Sequence, residues 1–280
     1  MSDLIDAIIE TRKTAEQIVI KSLTNINNAS EFELRERILA LIKTHNELYP
    51  TGWYAPPPSG ISVLFDTAPF KRLQFESLRN EESFPSEESI FEKESVGIIY
   101  LSPVDLKTNM IGDIGFTIYH GNDERIKKHI DKCYHTTLAM AEHAKVGMKF
   151  KDLYSFAMDL FKQELKIIGW MTTTSDPNLG INLGHTVPGS FDNNLNFGNS
   201  FEDILKTIKN NRIYINNVED FEIPETCAFT VEARLADINN PDLPNIFFHF
   251  IVVFNKGEKT ILNNFENIFK IANMDYINLN

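Results

Sequence analysis

Apolar residues in the first fifty positions recur at helical spacing and predict two helices. The second helix has a clear start, because Ser30 is followed by Glu31 and Glu33, a typical N-cap with an acidic first turn. We expect this helix to run to His45, so that residues 1–50 form an N-terminal helical pair. The stripe that predicts the first helix consists of Leu4, Ile8, Ala15, Ile18 and Leu23.

The next hydrophobic segments are shorter and predict strands. Three prolines between Gly52 and Gly60 exclude regular structure there, because proline fixes φ and has no N–H to donate. After them, β-branched and aromatic residues predict strands at 61–65, 96–101 and 110–119, of which the last two form a hairpin.

The second half continues with helices and then strands. The patterns predict helices at 123–144, 149–168 and 201–210, a loop-rich segment at 169–199, and strands at 227–236 and 245–255. Helices, strands, helices and strands in this order indicate an α+β fold rather than alternating βαβ units.

Composition and charge narrow the function. The 280 residues are 42% hydrophobic and 24% charged, which is ordinary for a globular protein and excludes disorder as the main state. The net charge of −12 makes nucleic acid and anionic membranes poor partners. Two cysteines 94 positions apart, the acidic N-terminus and the absence of a long apolar run predict a cytoplasmic protein. A homodimer is left open.

Four short patterns each place one potential metal ligand in or beside an apolar strand. A carboxylate there is costly unless it is paired or bound to metal. Simpler explanations exist for each pattern alone: a turn cap, a residue of a glycine-rich loop, or a side chain that faces solvent. The patterns are Ile111-Gly-Asp113-Ile-Gly, Leu183-Gly-His185-Thr-Val-Pro-Gly, Phe229-Thr-Val-Glu232-Ala and Phe247-Phe-His249-Phe.

Taken in order, these patterns resemble the creatinase/methionine-aminopeptidase family of M24-type metallopeptidases, over roughly residues 96 to 255. The resemblance implies the pita-bread fold, an antiparallel sheet flanked by two pairs of helices, here with a short N-terminal helical segment. Residues 1–280 would then form a single domain with its metal-site core at 96–255. It also implies two metal ions held by two Asp, one His and two Glu.

The chain departs from that ligand set. Tyr100 stands where the family has its first Asp, and Asp105 nearby has the wrong spacing to replace it. His249 stands where the family has its final, bridging Glu. A further His expected after His185 is absent, and Asp192 lies in its vicinity. The remaining set of Asp113, His185, Glu232 and His249 is enough for one divalent transition metal: Fe, Mn, Zn or Co.

Three functions remain open from the sequence. The first is hydrolysis of a C–N bond in a small amino-acid-like or peptide substrate, with Glu232 and His249 catalytic as well as ligating. The second is oxidative chemistry with mononuclear non-haem Fe(II) and O₂, which two imidazoles and a carboxylate favour. The third is a non-catalytic module that binds peptide or protein. Candidate substrate-binding residues are Trp53, Tyr54, Arg79, Arg234 and Asp192. The alternatives are core packing for Trp53 and Tyr54, a surface position for Arg79, and an ion pair with a ligand carboxylate for Arg234.

Overall fold

The structure, a computed structural model, describes residues 2–75, 77–161, 165–167, 181–192 and 194–279. Its α-helices are α1 (Ser2–Ser22), α2 (Glu31–Ile42), α3 (Glu124–His143), α4 (Phe150–Phe161), α5 (Phe201–Asn210) and α6 (Glu266–Ile271). Its strands are β1 (Ile61–Asp66), β2 (Val96–Leu101), β3 (Ile114–Ile118), β4 (Leu165–Ile167), β5 (Cys227–Asp237), β6 (Ile246–Asn255) and β7 (Glu258–Leu262). The predicted α+β class is therefore confirmed.

The N-terminal helical pair forms as predicted, with α1 packed on α2. Ser30 caps α2 in a reciprocal arrangement, since its hydroxyl accepts from the Glu33 N–H at 3.1 Å and the Glu33 carboxylate accepts from the Ser30 N–H at 2.9 Å. The helix ends at Ile42, three residues before the predicted end at His45. No helix in the described part of the chain combines the length and apolar character needed to cross a bilayer.

The described strands form one antiparallel sheet in the order β1-β2-β3-β6-β5-β4. The seventh strand, β7, follows β6 through Lys256 and Gly257, which both have positive φ and make a tight two-residue turn. Because β5 pairs along nearly all of β6, β3 and β7 share the opposite edge of β6. The polar sequence of β7 hid this strand from the pattern analysis.

The two faces of the sheet have different partners. Alternate residues of β6 point to opposite faces, and Phe248 and Phe250 pack against Tyr134 of α3 with ring centroids 5.2 and 5.6 Å apart. Phe247 and His249, which alternate with them along β6, therefore lie on the other face. That second face carries the candidate site.

Two predicted boundaries are wrong for tertiary reasons. The helix predicted at 149–168 ends at Phe161, and residues 165–167 instead pair with β5 as an edge strand. The strand predicted at 110–119 starts only at Ile114, because Gly112 passes so close to the α1 backbone that a side chain there would overlap it. Of the loop predicted at 169–199, residues 169–180 and 193 lie outside the described residues.

Candidate functional site

One row of residues crosses four neighbouring strands on the second face of the sheet. In the strand register Tyr100 of β2 is paired with Gly115 of β3, Gly115 with His249 of β6, and His249 with Glu232 of β5. Gly115 is needed in this row, because a Cβ there would overlap the rings of Phe247 and Tyr100. The row explains how residues over a hundred positions apart come together.

Asp113 is fully buried just before β3, and both its carboxylate oxygens accept side-chain hydrogen bonds. Trp53 Nε1 donates to Oδ1 at 2.7 Å, and the Tyr100 hydroxyl donates to Oδ2 at 2.8 Å. Burial raises the pKa of Asp113 to about 7, although these two hydrogen bonds oppose the rise. Tyr100 stands where the family resemblance implies the first Asp, and its hydroxyl donates a hydrogen bond to Asp113, the second Asp of that set.

Arg12 of α1 lies beneath this row and was missed by the sequence analysis. Its guanidinium is buried and donates to the backbone carbonyl oxygens of Asp113 and His249, the latter at 2.9 Å. Burial lowers its pKa to about 9, and the nearby charge of Asp113 opposes that shift. Nothing in the helical pattern distinguishes this arginine from the surface arginines of the chain, because its partners lie 101 and 237 positions away.

Glu232 lies between two imidazoles without a close contact to either. Its Oε1 is 3.6 Å from His185 Nε2, and its Oε2 is 3.7 Å from His249 Nε2. Burial, reinforced by the charge of Asp113, raises the pKa of Glu232 to about 8. Its one side-chain hydrogen bond within the described residues is a long one from the Thr230 hydroxyl, at 3.3 Å.

Both imidazoles are neutral. His185 Nδ1 lies 2.9 Å from the carbonyl oxygen of Thr186 and must donate to it, so its Nε2 carries a lone pair. Burial lowers the pKa of His185 to about 3, with Arg212 adding to the effect. Burial also holds the pKa of His249 well below its usual value. Neither ring nitrogen of His249 has a hydrogen-bond partner among the described residues.

The four predicted metal ligands do not assemble into a metal-binding group. Hydrogen bonds from Trp53 and Tyr100 engage both oxygens of Asp113, and Glu232 approaches the two imidazoles only at the distances given above. In the described residues no group of three or more His, Cys, Asp and Glu could hold a metal ion. The assignment of Asp113, His185, Glu232 and His249 as metal ligands stays a prediction.

A cavity of about 580 Å³ opens above Glu232 and His185. Of the predicted substrate-binding residues, Trp53, Tyr54, Arg79 and Arg234 line it. Its remaining aromatic and cationic lining comes from Phe75, Tyr100, Tyr214, Phe247, Lys209 and Arg212. A volume of this size suits a small organic molecule.

Two acidic candidates lie away from the cavity. Asp192 is exposed, does not line the cavity, and accepts a hydrogen bond from the Asn194 N–H at 2.9 Å. Asp105 accepts from the N–H groups of Lys107 and Thr108 and so closes a local turn. Neither reaches the row on the sheet.

Lys209 and Arg212 are the two cationic cavity residues that the sequence analysis missed. They stand at the end of α5 and just beyond it, in a stretch whose charges look like an ordinary solvated helix face. Lys209 Nζ nevertheless donates to the carbonyl of Ala55 at 2.7 Å, 154 positions away. The Arg212 guanidinium lies over the Trp53 ring, 4.9 Å from its centroid.

Comparison with known proteins places the fold. No family model matches the chain, and no curated protein matches it. Among solved structures it is similar to an X-Pro aminopeptidase from Thermotoga maritima (TM-score 0.62, 14% identity, 94% of this chain and 61% of that one) and a prolidase from Pyrococcus horikoshii (0.64, 15%, 94% and 62%). It is also similar to a methionine aminopeptidase from Thermotoga maritima (0.62, 13%, 91% and 96%).

The extent of these matches differs. The chain spans about three fifths of the length of the X-Pro aminopeptidase and the prolidase, and it matches nearly all of the methionine aminopeptidase. TM-scores of 0.62 to 0.64 establish the architecture, whereas sequence identities of only 13 to 15% leave the chemistry to the residues of the site. The predicted pita-bread fold, with its antiparallel sheet, helix pairs and N-terminal helical segment, is therefore confirmed.

Proposed function

We propose that the protein is a small-molecule-binding module built on a peptidase-type scaffold. The cavity above Glu232 has the size of a small-molecule site and combines aromatic walls with charged and amide side chains. Tyr100, which lines the cavity, and His249, which lies in the neighbouring strand row, stand where the family resemblance implies an Asp and a Glu. The proposal corresponds to the non-catalytic alternative from the sequence, with a small molecule in place of a peptide or protein.

The observation that carries this proposal is the hydrogen bonding of Asp113. Its two oxygens accept from Trp53 and Tyr100 at 2.7 and 2.8 Å, so the carboxylate is satisfied by the protein itself. A buried carboxylate held in this way is a structural element that joins the strand row to the cavity wall. Trp53 and Tyr100 also line the cavity, so the same bonds shape the binding surface.

The test combines metal analysis with ligand screening on the full-length protein purified without added metal or chelator. We expect no stoichiometric metal by elemental analysis and no cleavage of X-Pro or Met-X peptides. A thermal-shift screen of small organic molecules should yield ligands, and Trp53→Ala should weaken their binding. A screen in which no small molecule binds would refute the proposal.

A second candidate is a metal-dependent enzyme, as the four predicted ligands suggest. One observation favours it: both ring nitrogens of the buried His249 lack a hydrogen-bond partner among the described residues, and an unpaired buried nitrogen is costly. This candidate predicts about one Fe, Mn, Zn or Co ion per chain. Iron accompanied by O₂ consumption would favour the oxidative alternative, and peptide cleavage would favour the hydrolase.

Variants separate the two candidates. Under the second candidate, His249→Ala and Glu232→Gln lose the metal, while Asp192→Asn, an exposed carboxylate outside the cavity, keeps it. If the protein is a small-molecule-binding module, all three variants have the same negligible metal content as the wild type. Thermal melting of each variant shows whether it is folded before its metal is measured.

A further inference from the structure

The charge of the cavity identifies the chemical class of its ligand. Arg79, Lys209, Arg212 and Arg234 line the cavity, and Glu232 is the one carboxylate that faces them from the described residues. The chain as a whole carries −12, so this concentration of positive charge runs against the rest of the surface. We propose that the cavity binds a small organic anion, in which a carboxylate or phosphate is attached to a flat apolar group. This inference rests on the proposed function.

Two of these cations meet at a single neutral acceptor. Arg79 Nη1 donates to the carbonyl oxygen of Ala55 at 3.0 Å, and Lys209 Nζ donates to the same oxygen at 2.7 Å. Two like charges held this close repel each other, and a carbonyl dipole offsets only part of that repulsion. Consistent with this, burial and then the charges of Arg79 and Arg212 lower the pKa of Lys209. An anion bound beside Arg79 and Lys209 would attract both cations and so offset their mutual repulsion.

Arg79 also has unused donors. Its Nε and Nη2 are buried and have no hydrogen-bond partner among the described residues. Its guanidinium stacks over the ring of Tyr54, 4.0 Å from the centroid, which fixes the plane of the fork. A planar fork with two free N–H groups matches a carboxylate or phosphate, which accepts two parallel hydrogen bonds.

The rest of the wall accounts for the flat apolar part of the ligand. Trp53, Tyr54, Tyr100, Tyr214, Phe75 and Phe247 contribute rings to the lining. Arg234 is held over Phe75 at 4.1 Å from the ring centroid, so this cation is also fixed in position by an aromatic side chain. Rigid rings enclose a planar group with little loss of side-chain freedom.

The test measures the affinity of the full-length protein for four probes of one shape by titration calorimetry: benzoate, phenyl phosphate, benzamide and benzylamine. We expect at least one of the two anions to bind about tenfold or more tightly than benzamide, and benzylamine not to bind. Whichever anion is tighter decides between carboxylate and phosphate. Benzamide or benzylamine binding as tightly as both anions overturns the inference.

Variants locate the anion. Arg79→Gln and Lys209→Gln should each weaken the tighter anion about tenfold or more. Arg125→Gln is the matched control, because Arg125 lies in a separate surface pocket that Lys128, Lys132, Asp237 and Asp242 also line. If Arg125→Gln weakens binding and Arg79→Gln does not, the anion binds elsewhere and the inference is wrong.

The two failures can be told apart. If the screen of the preceding section yields only neutral or cationic ligands, and Trp53→Ala weakens them, the small-molecule function stands and the anion inference fails. If nothing binds, the proposed function itself fails. Unfolding curves of the unliganded Arg79→Gln and Lys209→Gln variants show that a loss of binding is not a loss of fold.

Discussion

Replacing Tyr100 by phenylalanine removes one hydroxyl and tests the hydrogen bonding of Asp113 directly. Tyr100 is 4% exposed and Asp113 is fully buried, so water does not readily replace the lost donor. A hydrogen bond to a charged group contributes roughly 1.5–3 kcal/mol. We therefore expect Tyr100→Phe to lower the free energy of unfolding by about 2 kcal/mol at pH 8.

The effect should depend on pH in a defined direction. The pKa of Asp113 in the folded protein is about 7, so the carboxylate is mostly ionised at pH 8 and protonated at pH 5. A bond to the neutral acid is weaker, roughly 0.5–1.5 kcal/mol. The destabilisation caused by Tyr100→Phe should therefore be smaller at pH 5 than at pH 8.

The assay is urea unfolding followed by fluorescence at both pH values. Tyr49→Phe is the control, because the Tyr49 hydroxyl donates to the neutral Asn109 amide oxygen at 3.2 Å in a half-buried position. It should cost about 1 kcal/mol or less at either pH. Equal unfolding free energies for Tyr100→Phe and the wild type at pH 8 would refute the role given to this bond.

Three further predictions concern the sheet, the buried acid and the helical pair. The folded-state pKa of Glu232 is raised from 4.5 to about 8, so the folded protein holds a proton that the unfolded chain releases, and stability falls as pH rises through this range. Between pH 5 and 7.5, Glu232→Gln should make the free energy of unfolding fall less steeply, by about 1.4 kcal/mol per pH unit. Urea titrations that give the variant and the wild type the same dependence on pH would contradict this prediction. Gly115→Ala should destabilise the folded protein by about 1–3 kcal/mol, because the new methyl group overlaps the ring of Phe247. Scanning calorimetry measures the effect, and an unchanged melting temperature would count against the overlap. Ser30→Ala should lower the free energy of unfolding by about 1 kcal/mol, because it removes the cap of α2. Thr67→Ala, at an exposed position outside any helix, is the control in the same melts.

Some predictions depended on local signals and were confirmed. The capping sequence at Ser30 predicted where α2 begins, because a cap is formed by residues three positions apart. The apolar strands β5 and β6 were predicted to within one residue at each end, since their β-branched and aromatic residues suit a sheet buried on both faces.

Other predictions failed where contacts with residues far away in the sequence determine the local structure or the role of a residue. Residues 165–167 continue an apolar pattern that suits a helix, and only pairing with β5 makes them a strand. Lys209 and Arg212 have ordinary local surroundings, and the cavity becomes cationic only when α5 meets the segment around Ala55. Short-range periodicity contains no information about either contact.

The same distinction between local signals and distant contacts applies to the candidate site. Sequence alone determined the four residues that stand in apolar surroundings, Asp113, His185, Glu232 and His249, because a polar group in such a run is visible without a structure. What each side chain contacts was decided by tertiary structure. Tyr100 and Trp53 reach Asp113 only because the strand register and the chain before β1 bring them there. Hydrogen bonds are short and directional, so the partner of a buried carboxylate is settled by geometry that a linear pattern does not contain.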